Sequence, residues 1–219
     1  GVAARPTESG GTVGRLLEVV TAPPASVATD AATPVAGDSY ARASLAVPLR
    51  TAELLHAAAA AIVSHNTDAG RGTRHLTIAV GAGKPATAGA LLANRSELIR
   101  LRDLEGVALE EVRARLKTAP LNPAGGSGST PGPLAGLALR ALAPRLGSTL
   151  LVSHLGEVTA SAVSDLAFYP VTSGGTGLSL GAVHHRGATT LTLRGRAARW
   201  TDEALGVLLA RVTAQISRP

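Results

Sequence analysis

The chain has 219 residues, 45% of them hydrophobic, and a formal net charge of +6 from 21 basic and 15 acidic side chains. That length and apolar content suffice for one substantial core. The absence of cysteine excludes disulfides, thiolate metal sites and cysteine nucleophiles.

No apolar run reaches the ~18 residues that a membrane-spanning helix needs. The start, Gly1 to Gly11, is polar where a signal peptide would place a basic tip and an apolar stretch. A cytoplasmic protein is therefore the expectation. The sequence contains no methionine, so Gly1 is not a retained initiator, and the expectation is that native sequence precedes it. Aromatic residues make up only 2% of the chain, so the core must be assembled from Ala, Leu and Val. The positive charge invites a nucleic-acid reading, which needs a clustered basic face with aromatics to stack bases. Here the arginines are dispersed and Tyr40, Phe168, Tyr169 and Trp200 are not interleaved with them, so no nucleic-acid partner is expected. The charge remains suited to an anionic small ligand.

Residues 1–47 are rich in Ala, Pro, Thr and Gly and read as a linker with one short helix, Thr12 to Val20, carrying Leu16, Leu17 and Val20 on one face. The folded lobe is expected over residues 48–219. Thr51 to Ser64 reads as a helix capped by Thr51, with Leu54, Leu55, Ala58 and Ile62 at helical spacing. Arg74 to Val80 and Glu97 to Arg102 read as strands, and Ala108 to Lys117 as a helix with Leu109, Val112 and Leu116 inward. Pro120 to Pro133 is a Gly/Ser-rich loop, followed by a helix over Pro133 to Ala143.

Four strand-like runs follow: Thr149 to Ser153, Asp165 to Tyr169, Leu178 to His184 and Thr189 to Arg196, the last two joined by a hairpin turn at Arg186-Gly187. Thr201 to Ile216 carries the plainest helical stripe, Leu205, Leu208, Leu209, Val212 and Ile216, behind a Thr201 cap with Asp202 and Glu203 in the first turn. Helices alternate with strands early, and strands come consecutively late. The fold class is therefore α/β, a mixed-sheet α/β sandwich.

Several chemical motifs fail on their spacing. A phosphate loop at Gly81-Ala82-Gly83-Lys84 needs a glycine five residues before Gly83, where Ile78 stands. Gly126-Ser127-Gly128 has no preceding strand to form a nucleophile elbow. The six histidines show no His-x-x-x-His spacing on one helix, so no metal site is expected.

Leu150-Leu151-Val152-Ser153-His154-Leu155-Gly156, followed by Phe168-Tyr169-Pro170, resembles the Ser-Asn-x-Gly strand end and the subsequent Phe-Tyr-Pro-like stretch of the chloramphenicol acetyltransferase-like superfamily, in particular its condensation domains and polyketide-associated acyltransferases. His75 to Lys84 is similar to the family's strand ending in Pro-Val-Asp-x-Arg, and Asn94-Arg95 to its Gly-Asn element. His154 stands where the family has Asn, Ala93 where it has Gly, and Lys84 near its Arg. His184-His185 begins like the family's His-His-x-x-x-Asp signature, but Thr189 occupies the Asp position, so no catalytic residue is expected in this chain.

The resemblance implies one lobe, the carboxyl-terminal one, of a two-lobed acyltransferase, with the catalytic histidine on a separate or missing amino-terminal lobe. It further implies transfer of an acyl group from an acyl-CoA or phosphopantetheinyl thioester to an alcohol or amine, with no bound cofactor. The implied partners are the histidine-bearing lobe and an acyl carrier protein. Ser153, His154 and Asn94 become candidates for polar groups facing a substrate tunnel, and Ser173, Gly174 and Gly175 for a loop crossing to the other lobe. A non-catalytic scaffold module that keeps the half-fold and holds a carrier or partner protein is the alternative reading.

Overall fold

The structure, a computed structural model, describes residues 21–29, 36–83, 96–123, 147–171 and 177–217. The expected helices Thr12 to Val20 and Pro133 to Ala143 lie outside these residues, as do Lys84, Asn94 and the Ser173, Gly174, Gly175 loop. The elements in order are β1 (Asp38–Leu45), α1 (Thr51–Asp68), β2 (Ile78–Gly83), β3 (Ser96–Leu101), α2 (Leu109–Thr118), β4 (Leu121–Pro123), β5 (Leu150–Glu157), β6 (Leu178–His185), β7 (Ala188–Arg196) and α3 (Asp202–Ile216). They build a seven-stranded sheet in the order β1-β7-β6-β5-β2-β3-β4. The central neighbours β2, β5 and β6 run parallel, and every other pair is antiparallel. This is the mixed α/β sandwich expected from the order of elements.

Helices α1 and α3 pack side by side on one face of the sheet, with α2 beside α1. Strand alternation assigns that face. Ile78, Val80, Leu150, Val152, Leu178, Leu180, Leu191 and Leu193 point into it and meet Leu54, Leu55, Ala58 and Ile62 of α1 and Leu205, Leu208, Leu209 and Val212 of α3. Four buried alanines, Ala57, Ala58, Ala59 and Ala61, let α1 approach its neighbours closely, so a core almost free of aromatics still closes. Trp200, buried just before α3, is the large exception: its ring covers Gly195, where a Cβ would lie 2.7 Å from the indole Cδ1.

Local chemistry explains the element ends. Thr201 caps α3, its hydroxyl accepting from the Ala204 N–H at 3.1 Å. Arg186 (φ +49°) and Gly187 (φ +80°) give the two positive φ angles of a type I′ hairpin turn between β6 and β7. At α1 the cap differs from expectation. Arg50 is the N-cap, Glu53 accepts its backbone N–H at 3.0 Å, and Thr51 is already helical, which frees its hydroxyl for a tertiary contact.

Three further elements depart from the sequence reading. Residues 38–45, expected in the linker, form edge strand β1, paired with β7 over eight positions. Residues 121–123 extend the sheet beyond β3, although the reading placed them in a loop. Asp165 to Tyr169, expected as a strand, pairs with no strand. It belongs to a strap, residues 158–171, that runs over the helix-free face of β6 and β7. The Thr192 hydroxyl donates to the Phe168 carbonyl, and the Ser179 hydroxyl donates to the Pro170 carbonyl at 2.8 Å. Both edges of β6 are already taken by β5 and β7, so the strap cannot pair beside β6 and lies across the sheet instead.

The lead-in segment is also anchored. Asn66 of α1, 1% exposed, accepts from the Ala28 N–H (2.8 Å) and donates to the Ser26 carbonyl (3.1 Å) and the Thr73 hydroxyl (3.0 Å). Asn66→Ala strips these partners at once. A loss of about 2–3 kcal/mol in urea unfolding is expected, since each buried polar group left unpaired costs ~1–3 kcal/mol.

Candidate functional site

In open sheets with parallel strands, ligands gather beyond the carboxyl ends of those strands. At that end of β5 and β6 the chain places its Ser153-His154-Leu155-Gly156 motif. The pairing of β5 with β6 shifts register between His154 and Glu157, and Gly156 takes φ +69°, a bulge that bends the strand end. Consecutive strand residues face opposite ways, so Ser153 and His154 do not share one face. Ser153 lies opposite Gly181 on the helix-free face, 3.6 Å from where a Cβ on Gly81 would stand. His154 turns to the helix face.

There His154 Nδ1 lies 3.0 Å from the Thr51 hydroxyl in the first turn of α1, while its Nε2 is buried with no partner among the described residues. His184 occupies the same face one strand over. Its Nδ1 lies 3.0 Å from the Thr189 hydroxyl, which itself donates to the Val47 carbonyl at 2.6 Å. A hydroxyl has one proton, so Thr189 accepts from His184 Nδ1–H, and Nε2 is the unprotonated nitrogen of a neutral His184. Both rings therefore use Nδ1 on a threonine and keep Nε2 for another partner.

Burial, and secondarily the nearby His184, holds His154 below the ordinary histidine range. A base whose folded-state pKa is depressed contributes stability that is present above its unfolded value, about 6.5, and lost progressively below it, as pH falls through the depressed folded-state value. The difference in stability between the wild type and His154→Asn is therefore expected to move against the wild type as the solution is acidified below that value, in paired denaturation curves at several pH values.

The sequence singled out Ser153 and His154 but not Thr51 or Thr189, whose roles depend on partners 103 and 142 residues away. The one legible signal was the histidine pair ahead of Thr189. Among the described residues no group of three metal-ligating side chains converges, and no helix is long and apolar enough to cross a membrane. Two depressions lie elsewhere. One of about 100 Å³ sits at the opposite end of β5 and β6, beside Ser148, Thr149 and Trp200, and an open one of about 460 Å³ lies among Arg100, Arg102, Asp103 and Arg115.

This mixed sheet with its helices on one face has the fold of nonribosomal peptide synthetase condensation, epimerization and cyclization domains, over about half of their length. The epimerization domain from the third module of tyrocidine synthetase B superposes with a TM-score of 0.56 at 15% identity, covering 94% of this chain and 55% of that one. The EpoB cyclization-docking bidomain from Sorangium cellulosum gives 0.58 at 12% identity, covering 94% and 47%. Azotobacter vinelandii dihydrolipoamide acetyltransferase gives 0.50 at 14% identity, covering 83% and 82%. The chain thus spans about half the length of the first two and most of the third. No protein-family model matches the sequence, and no curated protein matches it by sequence.

Proposed function

We propose that this chain supplies the carboxyl-terminal lobe of a condensation-type acyltransferase that moves an acyl group from a carrier-protein or CoA thioester to an alcohol or amine. The observation that carries the reading is the coverage: 94% of this chain falls on 55% of a condensation-type domain. The missing share is what a second lobe would occupy.

In this reading the catalytic base belongs to the other lobe, which takes the proton from the acceptor as it attacks the thioester carbonyl. The rim at the end of β5 contributes polar groups to the tunnel wall. His154, kept neutral by burial, offers a ring nitrogen on the helix face, and Ser153 offers a hydroxyl on the opposite face. Asn94 and the Ser173, Gly174, Gly175 loop are assigned to the tunnel and the crossing by the resemblance alone. The thioester is substrate, and an acyl carrier protein is the partner that would present it.

Size exclusion of material from the native source, followed by intact-mass measurement, tests the reading. It requires a polypeptide, contiguous with this chain or co-eluting with it, that carries His-His-x-x-x-Asp. A lone 21.9 kDa species would overturn it and favour a stand-alone module, and the coverage of 82% of the dihydrolipoamide acetyltransferase chain supports a chain of this length standing alone.

A further inference from the structure

His185, at the end of β6, is 7% exposed and faces the strap. Its Nδ1 lies 2.8 Å from the Val158 carbonyl and its Nε2 lies 2.9 Å from the Val163 carbonyl, both in good hydrogen-bond alignment. Carbonyl oxygens only accept, and a neutral imidazole has one N–H, so one of the two contacts would then set lone pair against lone pair. Only the imidazolium donates to both.

The surroundings suit a positive charge there. The strap carries one charged residue, Asp165, whose carboxylate is paired with Arg42 of β1. Asp165 is held below the usual carboxylate range chiefly by that arginine, with His185 a further, smaller contributor. Strand β7 has no charged side chain between Ala188 and Leu193. The other charged groups at this end are Arg186, whose guanidinium donates to the Ser161 carbonyl at 2.8 Å, and Glu157 at the end of β5. Tyr169, edge-on to Tyr40 at 5.1 Å, is the strap's remaining titratable group and sits at its far end.

We infer that His185 is a proton-dependent latch: its imidazolium pins the first half of the 158–171 strap to the helix-free face of the sheet at two carbonyls, and loss of the proton gives up one of them and loosens that half. The latch is independent of the acyltransferase reading, because it rests on donor count alone. Closing the strap takes up one proton at His185, so closure is favoured as pH falls and opening as pH rises. Asp165 and the Thr192 and Ser179 hydroxyls hold the second half of the strap, so the loosening is local to the Val158 to Val163 half, where the Val158 N–H to His184 carbonyl bond and the Arg186 contact to the Ser161 carbonyl remain.

Two measurements on the full chain test this. Ring ¹⁵N shifts should show both His185 nitrogens protonated at pH 5.5. Amide hydrogen exchange, corrected for its intrinsic pH dependence, should show opening of residues 158–163 rising with pH, by up to about tenfold per pH unit, as release of one linked proton requires. His185→Gln, which offers one donor group and no titration, should expose the segment and flatten that pH dependence while leaving β7 and α3 protected. A single neutral tautomer at pH 5.5 would overturn the inference, even if His185→Gln failed to fold. So would strap exchange in the wild type that is flat with pH.

Discussion

Gly181→Ala is expected to lift the strap off the sheet and cost about 3 kcal/mol in unfolding free energy. Gly181 sits in the middle of β6, where its Cα hydrogen faces the strap. A Cβ there would stand 2.5 Å from the Thr192 hydroxyl oxygen, 2.7 Å from the Phe168 carbonyl oxygen and 2.8 Å from Pro170 Cδ. Two of these three belong to the strap and cannot turn away as a flexible side-chain tip would. Overpacking a tight site costs ~1–3 kcal/mol. Pushing the strap out also removes the bonds that Thr192 and Ser179 make to its carbonyls, each worth ~1 kcal/mol net. Chemical denaturation gives the stability, and limited proteolysis within 158–171 reports where the damage falls. Equal stability with an intact strap would mean that the strap does not rest on Gly181.

Trp200→Ala is expected to be costlier still, about 3–5 kcal/mol, the range for removing a buried large aromatic. Trp200 is 4% exposed and seals the end of the core between β7 and α3. Its ring occupies the space that Gly195 leaves open, and its carbonyl accepts the Ser39 hydroxyl at 2.6 Å, tying edge strand β1 to the start of α3. The neighbouring His65 imidazole, 6.2 Å away between ring centroids, is engaged with the Ala28 carbonyl at 3.0 Å and is too small to fill the cavity. Thermal unfolding should show a large fall in midpoint, and β1 amides should exchange faster than those of β5. A small effect would mean that α3 settles onto Gly195 and closes the gap.

The two substitutions act on opposite faces of one sheet, and the contrast explains how the molecule is built. The helix face is sealed by apolar burial, which is non-directional and tolerant of drift in position. The strap face is closed by hydroxyls, a histidine and an ion pair, each requiring a particular partner. Damage to the first is paid across the whole fold, whereas damage to the second should remain largely local.

Much of the helix face could be read from the residues alone. The stripe Leu205, Leu208, Leu209 and Val212, with its Thr201 cap, and the run Leu54, Leu55, Ala58 and Ile62 declare themselves by periodicity, because a helix takes its pattern from its own sequence. The Arg186-Gly187 turn was legible for the same reason. β1 was not, since Asp38–Leu45 is a strand only by virtue of eight partners on β7, some 150 residues later. The Asp165 to Tyr169 run misled because an apolar run cannot say whether an edge will be free to receive it.

The candidate site divides in the same way. Ser153-His154-Leu155-Gly156 stood out as a motif, yet the sequence alone did not put its two polar residues on opposite faces. By itself the sequence determined the α/β class, the helix-facing core and the absence of cysteine chemistry, because composition and periodicity are local properties. Only the tertiary structure decided that Thr51 serves His154 rather than a helix cap, that Thr189 sets the tautomer of His184, and that two carbonyls of the strap meet His185. Those pairings depend on which distant segments the sheet order brings together, and no spacing along the chain encodes them.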